Sequence, residues 1–162
     1  MRFATDSAGR SSMKAEHHVM TPEELMPRIT GLLELGETVP LIISGGSMNP
    51  FLVHGRDTVF LSPPNRTFKR GDMIFYRRDN GQYVLHRIFR LEGECYCLVG
   101  DAQTELEHGI RQNQIIAYVS AVNRKGKVLK PGSFLWFFFE KIWIRMVPIR
   151  HLVMGAYAKL FG

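Results

Sequence analysis

The stretch Ile43-Ser44-Gly45-Gly46-Ser47-Met48-Asn49-Pro50 places a serine hydroxyl directly after two glycines. Glycine accepts backbone angles that other residues resist, so Gly45 and Gly46 permit a tight path that presents the Ser47 hydroxyl. The same path leaves the N–H of Ser47 and of a neighbour free to face negative charge developing on an attacked carbonyl. A serine nucleophile needs a base within hydrogen-bond reach, and the imidazole of His86 in Val84-Leu85-His86-Arg87-Ile88 is a candidate. Both features also have ordinary readings. Small residues are common turn material, and a histidine on a half-buried strand often has only a structural partner.

The elements that must position these residues follow from periodicity and punctuation. Thr21-Pro22-Glu23-Glu24 combines an N-cap hydroxyl, proline at the first helical position and glutamate at the third. Leu25, Met26, Ile29, Leu32 and Leu33 then recur at helical spacing and Gly36 closes the unit, which predicts a helix over 22 to 35. From Thr38 onward the pattern turns to short β-rich runs at 38 to 43, 57 to 62, 72 to 78, 82 to 90, 94 to 99 and 114 to 122, with a further one at 126 to 129. Asp79-Asn80-Gly81 is a strong hairpin signal. Short strands without intervening helices imply a mainly β, α+β fold around a small, rolled, mostly antiparallel sheet.

Further blocks accompany the serine and the histidine. Ser47-Met48-Asn49-Pro50 is followed by Gly55-Arg56-Asp57-Thr58-Val59, by Lys69-Arg70-Gly71-Asp72-Met73-Ile74-Phe75-Tyr76, by His86-Arg87 and by Gly100-Asp101-Ala102. In type and order these blocks, within about residues 38 to 122, resemble the signal peptidase I and LexA-type superfamily of serine peptidases. Members open a short helix with Ser-Met after the first strand and carry the base on a later hairpin strand. The lysine base of bacterial signal peptidases and self-cleaving repressors is replaced here by His86-Arg87. That pair is similar to the branch found in the endoplasmic reticulum, archaea and some Gram-positive bacteria. The exchange has physical content. A lysine must be desolvated to become a base near neutrality, whereas histidine starts near 6.5 and chiefly needs orientation.

The resemblance implies an acid that holds the imidazole tautomer and stabilises the imidazolium. Asp101 matches the first family position and Glu107 the second, where aspartate is usual. Either could serve, and an acid after glycine also commonly caps a turn. Signal peptidases have a serine two before the nucleophile that donates to the oxyanion. Here that position is Gly45 and the serine is Ser44, a spacing closer to the repressors. The oxyanion hole of the Ser44, Gly45, Gly46, Met48 loop would then be mostly backbone amides.

Composition narrows the setting. The chain has 162 residues, 45% apolar and 22% charged, which suits one domain with a real core. Its formal charge of +6 is unevenly spread. Residues 1 to 122 hold 13 Lys/Arg against 14 Asp/Glu, and the remainder holds eight against Glu140 alone. Cys95 and Cys97, two apart on a strand, point to one face with poor geometry for bridging each other. Free thiols fit a reducing compartment without prohibiting an outer-surface location. Residues 1 to 20 are polar, small and expected to be flexible, with no apolar run of a secretory signal or anchor. The expected location is cytoplasmic or peripheral to a membrane.

The division is thus a flexible segment at 1 to 20, a peptidase domain at 21 to 130 and a basic tail at 131 to 162. Phe134 to Phe139 and the apolar residues from Ile142 to Phe161 are interrupted by Glu140, Lys141, Arg145, Arg150 and Lys159, which disfavours a spanning helix. Amphipathic helices on an anionic membrane surface, through residues 134 to 161, suit this pattern. Packing on the β-domain or an oligomer contact is the alternative.

The expected activity is a serine endopeptidase in which His86 takes the Ser47 proton, with no metal or cofactor, acting on an extended peptide or protein segment with small residues near the cleavage point. Self-cleavage at Ala8-Gly9, in the manner of repressors, is one rival. A non-catalytic peptide- or membrane-binding domain of the same fold is another. Nucleic-acid binding ranks last, because the basic residues lie among bulky apolar ones.

Overall fold

The computed structural model describes residues 21–161. The expected flexible segment and the Ala8-Gly9 bond lie outside them. Helix α1 spans Pro22–Glu34. Its start is fixed as the sequence predicts: Glu24 reaches back to accept the Thr21 N–H at 3.0 Å. At its end Gly36, with φ of 83°, donates to Leu33 O while Glu37 donates to Leu32 O, a paired closure that needs a left-handed residue. Met26, Ile29 and Leu33 form its buried stripe.

Eight strands follow: β1 Val39–Ile42, β2 Thr58–Ser62, β3 Met73–Arg77, β4 Tyr83–Glu92, β5 Cys95–Val99, β6 Glu107–Arg111, β7 Ile115–Arg124 and β8 Lys127–Leu129. They form one sheet in the order β1-β2-β7-β3-β4-β5-β6, with β8 on β7, and every pairing is antiparallel. The mainly β, α+β expectation holds at this level. Strand β6 was not expected, since Glu107-His108-Gly109-Ile110-Arg111 has one buried apolar residue and a glycine at φ 75°. Pro40 sits in β1, which pairs only with β2, as a residue without an N–H must on an edge.

The hairpin signal is also met. Gly81, at φ 88°, donates to Arg78 O and Arg78 donates to Gln82 O, which sets the β3–β4 register at Ile74↔His86 and Tyr76↔Val84. One apolar cluster lies between α1, the sheet and the C-terminal segment, and a second around Phe68, Ile74, Tyr76, Ile88 and Leu98.

The C-terminal segment is helical but irregular: α2 Phe134–Phe137, a π turn Phe138–Ile142, a 3-10 stretch Trp143–Ile149 and α3 Arg150–Phe161. Trp136, Phe139, Trp143, Ile144 and Val147 are buried, and Trp136 and Phe139 meet the Phe51 ring at 5.9 and 4.8 Å. Much of the apolar run at 134 to 149 thus packs into the protein's own core, as the packing alternative has it. Phe134, Phe137, Ile142, Ile149 and Leu152 remain exposed. Among the described residues no helix is long and apolar enough to cross a membrane.

Candidate functional site

The loop from Ile43 to Asp57 carries Ser47 and is held from below by its apolar residues. Met48, Phe51 and Leu52 are buried, which keeps the half-buried Ser47 at the surface between them. Gly45 adopts φ 82°, a left-handed angle that glycine supplies without strain. Its N–H donates to His54 Nδ1 at 3.1 Å, so this amide is committed away from an oxyanion. Among the described residues the amide of Ser47 has no acceptor. Asn49 donates to Gly46 O and Leu52 to Met48 O, which makes this stretch a turn and not the short helix that the resemblance implies.

Asp57 anchors the far end of the loop. Val53 N–H donates to its Oδ2 at 2.9 Å, and Arg56 gives it two bonds of 2.7 Å. Burial alone would push this carboxyl up, but Arg56 and the Val53 N–H outweigh it and the net displacement is downward.

His86 on β4 is buried, and its Nδ1 lies 3.2 Å from the Tyr76 hydroxyl and 3.6 Å from Glu107 Oε2. Tyr76 donates to Glu107 Oε2 at 2.6 Å, which leaves its oxygen to accept from Nδ1–H of His86. In that tautomer Nε2 is the free base. Arg78 holds Glu107 with two bonds, of 2.7 and 2.6 Å. Burial brings the imidazole down to about 4, against the upward pull of the Glu107 charge, so His86 is neutral at pH 7. Burial pushes the Glu107 carboxyl up, but Arg78 and Tyr76 override it and hold it below its ordinary value.

Asp101 has a different partner. Its carboxylate accepts from Arg87 Nε and Nη2 at 3.0 and 2.8 Å, with both side chains buried, while Arg87 Nη1 donates to Gly71 O. Of the two acids expected near His86, Glu107 is therefore the one beside it, and Asp101 reaches it only as a more distant charge. The Gly100-Asp101-Ala102 block instead supports the Ser47 loop. Ala102 N–H donates to Ser47 O at 2.8 Å, and a Cβ on Gly100 would stand 2.5 Å from that same oxygen.

The C-terminal segment grips this block from behind. Trp143 Nε1 donates to Asp101 O at 2.8 Å. Arg150, buried, donates from Nη1 to Gly100 O at 2.7 Å and Gln103 O at 2.9 Å, and from Nη2 to Trp143 O at 3.1 Å. Burial lowers its guanidinium to about 10, still charged at neutral pH.

Ser44, Gly45, Ser47, Met48, Arg78, His86 and Gln103 line one cavity of about 230 Å³. Gly46 lies in the same turn, tight against Asn49. A second, mostly apolar hollow of about 330 Å³ shares Ile43, Ser44, Tyr83 and Leu85 with it, and adds Leu25 and Met26 of α1 with Leu41, Ile42 and Phe75.

Sequence reasoning missed Tyr76, Arg78, Trp143 and Arg150. The hairpin register could have found Tyr76, because alternate residues of paired strands share a face and Tyr76 is thereby a diagonal neighbour of His86. No protein-family model, curated protein or solved structure matches the chain.

Proposed function

We propose that the protein is a serine endopeptidase of the signal peptidase and LexA-like type, with Ser47 as nucleophile, His86 as base and Glu107 orienting the base through Tyr76. The observation that carries this reading is that Ser47 and His86, 39 positions apart in the chain, open onto one cavity while a carboxylate and a hydroxyl stand behind the imidazole. His86 Nε2 takes the Ser47 proton, Ser47 Oγ attacks a peptide carbonyl, and the Ser47 amide donates to the oxyanion. His86 then returns the proton to the leaving amine, and water resolves the acyl-enzyme by the same base. Glu107 offsets the cost of the imidazolium at each transfer.

The substrate class is an extended peptide segment. β1 leads directly to the Ser47 loop and pairs on one side only, so a peptide can add along its other edge. The hollow beside α1 then takes one of its apolar side chains. Incubation with a peptide library, read by mass spectrometry, should give discrete cleavages that Ser47→Ala and His86→Ala both abolish with unchanged circular dichroism. Cleavage retained in both variants would exclude the reading.

An anionic membrane surface is a second partner, favoured by the exposed Phe134, Phe137, Ile142, Ile149 and Leu152 near Lys141 and Arg145. Co-sedimentation with phosphatidylserine vesicles that persists in Phe134→Ser/Phe137→Ser would count against it.

A further inference from the structure

We propose that Glu92, Cys97 and His108 form a binding site for a divalent cation of the zinc class, with none of the three lining the Ser47 cavity. A carboxylate oxygen of Glu92, the sulfur of Cys97 and a ring nitrogen of His108 all lie within 4.8 Å of one another. They come from three adjacent strands, β4, β5 and β6. Tetrahedral zinc with bonds of about 2.0 to 2.3 Å separates its ligand atoms by roughly 3.3 to 3.8 Å, so side-chain adjustments of about an ångström close the site.

The backbone is shaped to bring these groups together. Between β5 and β6 the register shifts from Tyr96↔Ile110 to Leu98↔Glu107, which leaves both His108 and Gly109 opposite Cys97. Gly109, at φ 75°, makes that bulge possible, and the bulge aims His108 to the Cys97 side while Glu107 turns to Tyr76 and His86. On β4 a second shift, between Ile88↔Leu98 and Arg90↔Cys97, puts Glu92 at the same end. Two bulges thus converge on one sulfur.

Cys97 is the independent sign of a ligand. It is fully buried, is not in a disulfide, and among the described residues its sulfur has no hydrogen-bond partner. His108 Nδ1 already sits 3.0 Å from Glu92 Oε2, and His108 is half exposed, which gives a cation an entry from solvent. Arg90 opposes a cation: its guanidinium bonds Glu92 Oε1 at 2.7 Å, on a side chain that is itself 52% exposed and can swing away. Binding converts the Cys97 thiol to a metal-bound thiolate and releases its proton to solvent. A soft sulfur, an imidazole and one carboxylate are a zinc or cobalt donor set and a poor one for magnesium or calcium. Water would complete the coordination.

Cobalt(II) titration of the full chain tests this, because a thiolate–cobalt charge-transfer band reports a sulfur ligand that imidazoles elsewhere cannot mimic. One equivalent of cobalt should give the band, zinc should bleach it, and zinc should raise the melting temperature. Cys97→Ser should abolish the band, Cys95→Ser should keep it, and His108→Asn should weaken binding by roughly tenfold or more. Arg90→Gln should tighten it. A chain that shows no band at stoichiometric cobalt, or a band that depends on Cys95 and survives Cys97→Ser, overturns the site. Should Cys97→Ser not fold, the exposed His108→Asn decides: unchanged affinity there is also disproof.

Discussion

Nδ1 of His86 and Oε2 of Glu107 face each other at 3.6 Å, with the Tyr76 hydroxyl bonded to the carboxylate and 3.2 Å from the imidazole. Asp101, although it follows a glycine, is bound on both oxygens by Arg87.

The two acids should therefore fail in different ways when neutralised. On the proposed mechanism Glu107→Gln should lower kcat by about 10²-fold or more, because His86 loses its orienting charge, with a small effect on folding. Asp101→Asn leaves the buried Arg87 without its counter-charge and should cost on the order of 3–5 kcal/mol of stability. Urea denaturation alongside steady-state cleavage separates them. A stable but inactive Asp101→Asn would reverse the assignment.

The pH dependence of stability carries the mark of His86. Burial holds its imidazole at about 4, below the ordinary 6.5, so the unfolded chain takes up the proton first as pH falls. Stability should decline from pH 6.5 towards 4 by up to about 3 kcal/mol. Glu107, whose carboxyl is held low, begins to contribute a loss only at lower pH, below the ordinary 4.5. Chemical denaturation between pH 7.5 and 4.5 should show a slope that is smaller in His86→Asn. Equal slopes would mean that His86 protonates freely in the fold.

Gly100→Ala should displace Ser47 without touching a titrating group. The new methyl would stand 2.5 Å from Ser47 O and 2.6 Å from Gln103 Oε1, closer than real contacts allow. We expect cleavage to fall by at least about tenfold, the effect of some 1.4 kcal/mol on the barrier. The melting temperature should drop too. Wild-type kcat in this variant would show that the Ser47 carbonyl has slack.

Arg150→Met keeps most of the volume and removes the donors to Gly100 O, Gln103 O and Trp143 O. Gly100 O keeps the Gln103 N–H at 3.0 Å, but each lost bond from a charged donor is worth about 1.5–3 kcal/mol, so the melting temperature should fall by several degrees. Hydrogen exchange at the Ala102 amide, which is bonded to Ser47 O, should accelerate. Protection of that amide at the wild-type level would show that the tail does not brace the loop.

Legibility in the sequence followed the range of the forces involved. The caps of α1 and the β3–β4 turn are local, and Glu24, Gly36 and Gly81 act as their residue types predict. β6 escaped because its pairing with β5 depends on bulges that break period-two alternation. Arg87 reads as an ordinary strand-face charge until Asp101, 14 residues away, is brought against it. Arg150 misleads more strongly, since a basic residue among apolar ones on a helix suits a membrane surface equally well. Only tertiary packing reveals that it and Trp143 bond to backbone carbonyls of the Gly100–Gln103 turn.

That grip sets an order of events during synthesis. Ser47 is made early, but the turn that bonds its carbonyl takes its donors from Trp143 and Arg150, about a hundred residues later in the chain. A nascent chain on the ribosome therefore holds the serine, the histidine and both acids before it can fix the loop that presents the serine. The turn behind Ser47 gains these donors only after residues 143 to 150 have been made, so the bracing of the Ser47 loop comes late in the order of synthesis.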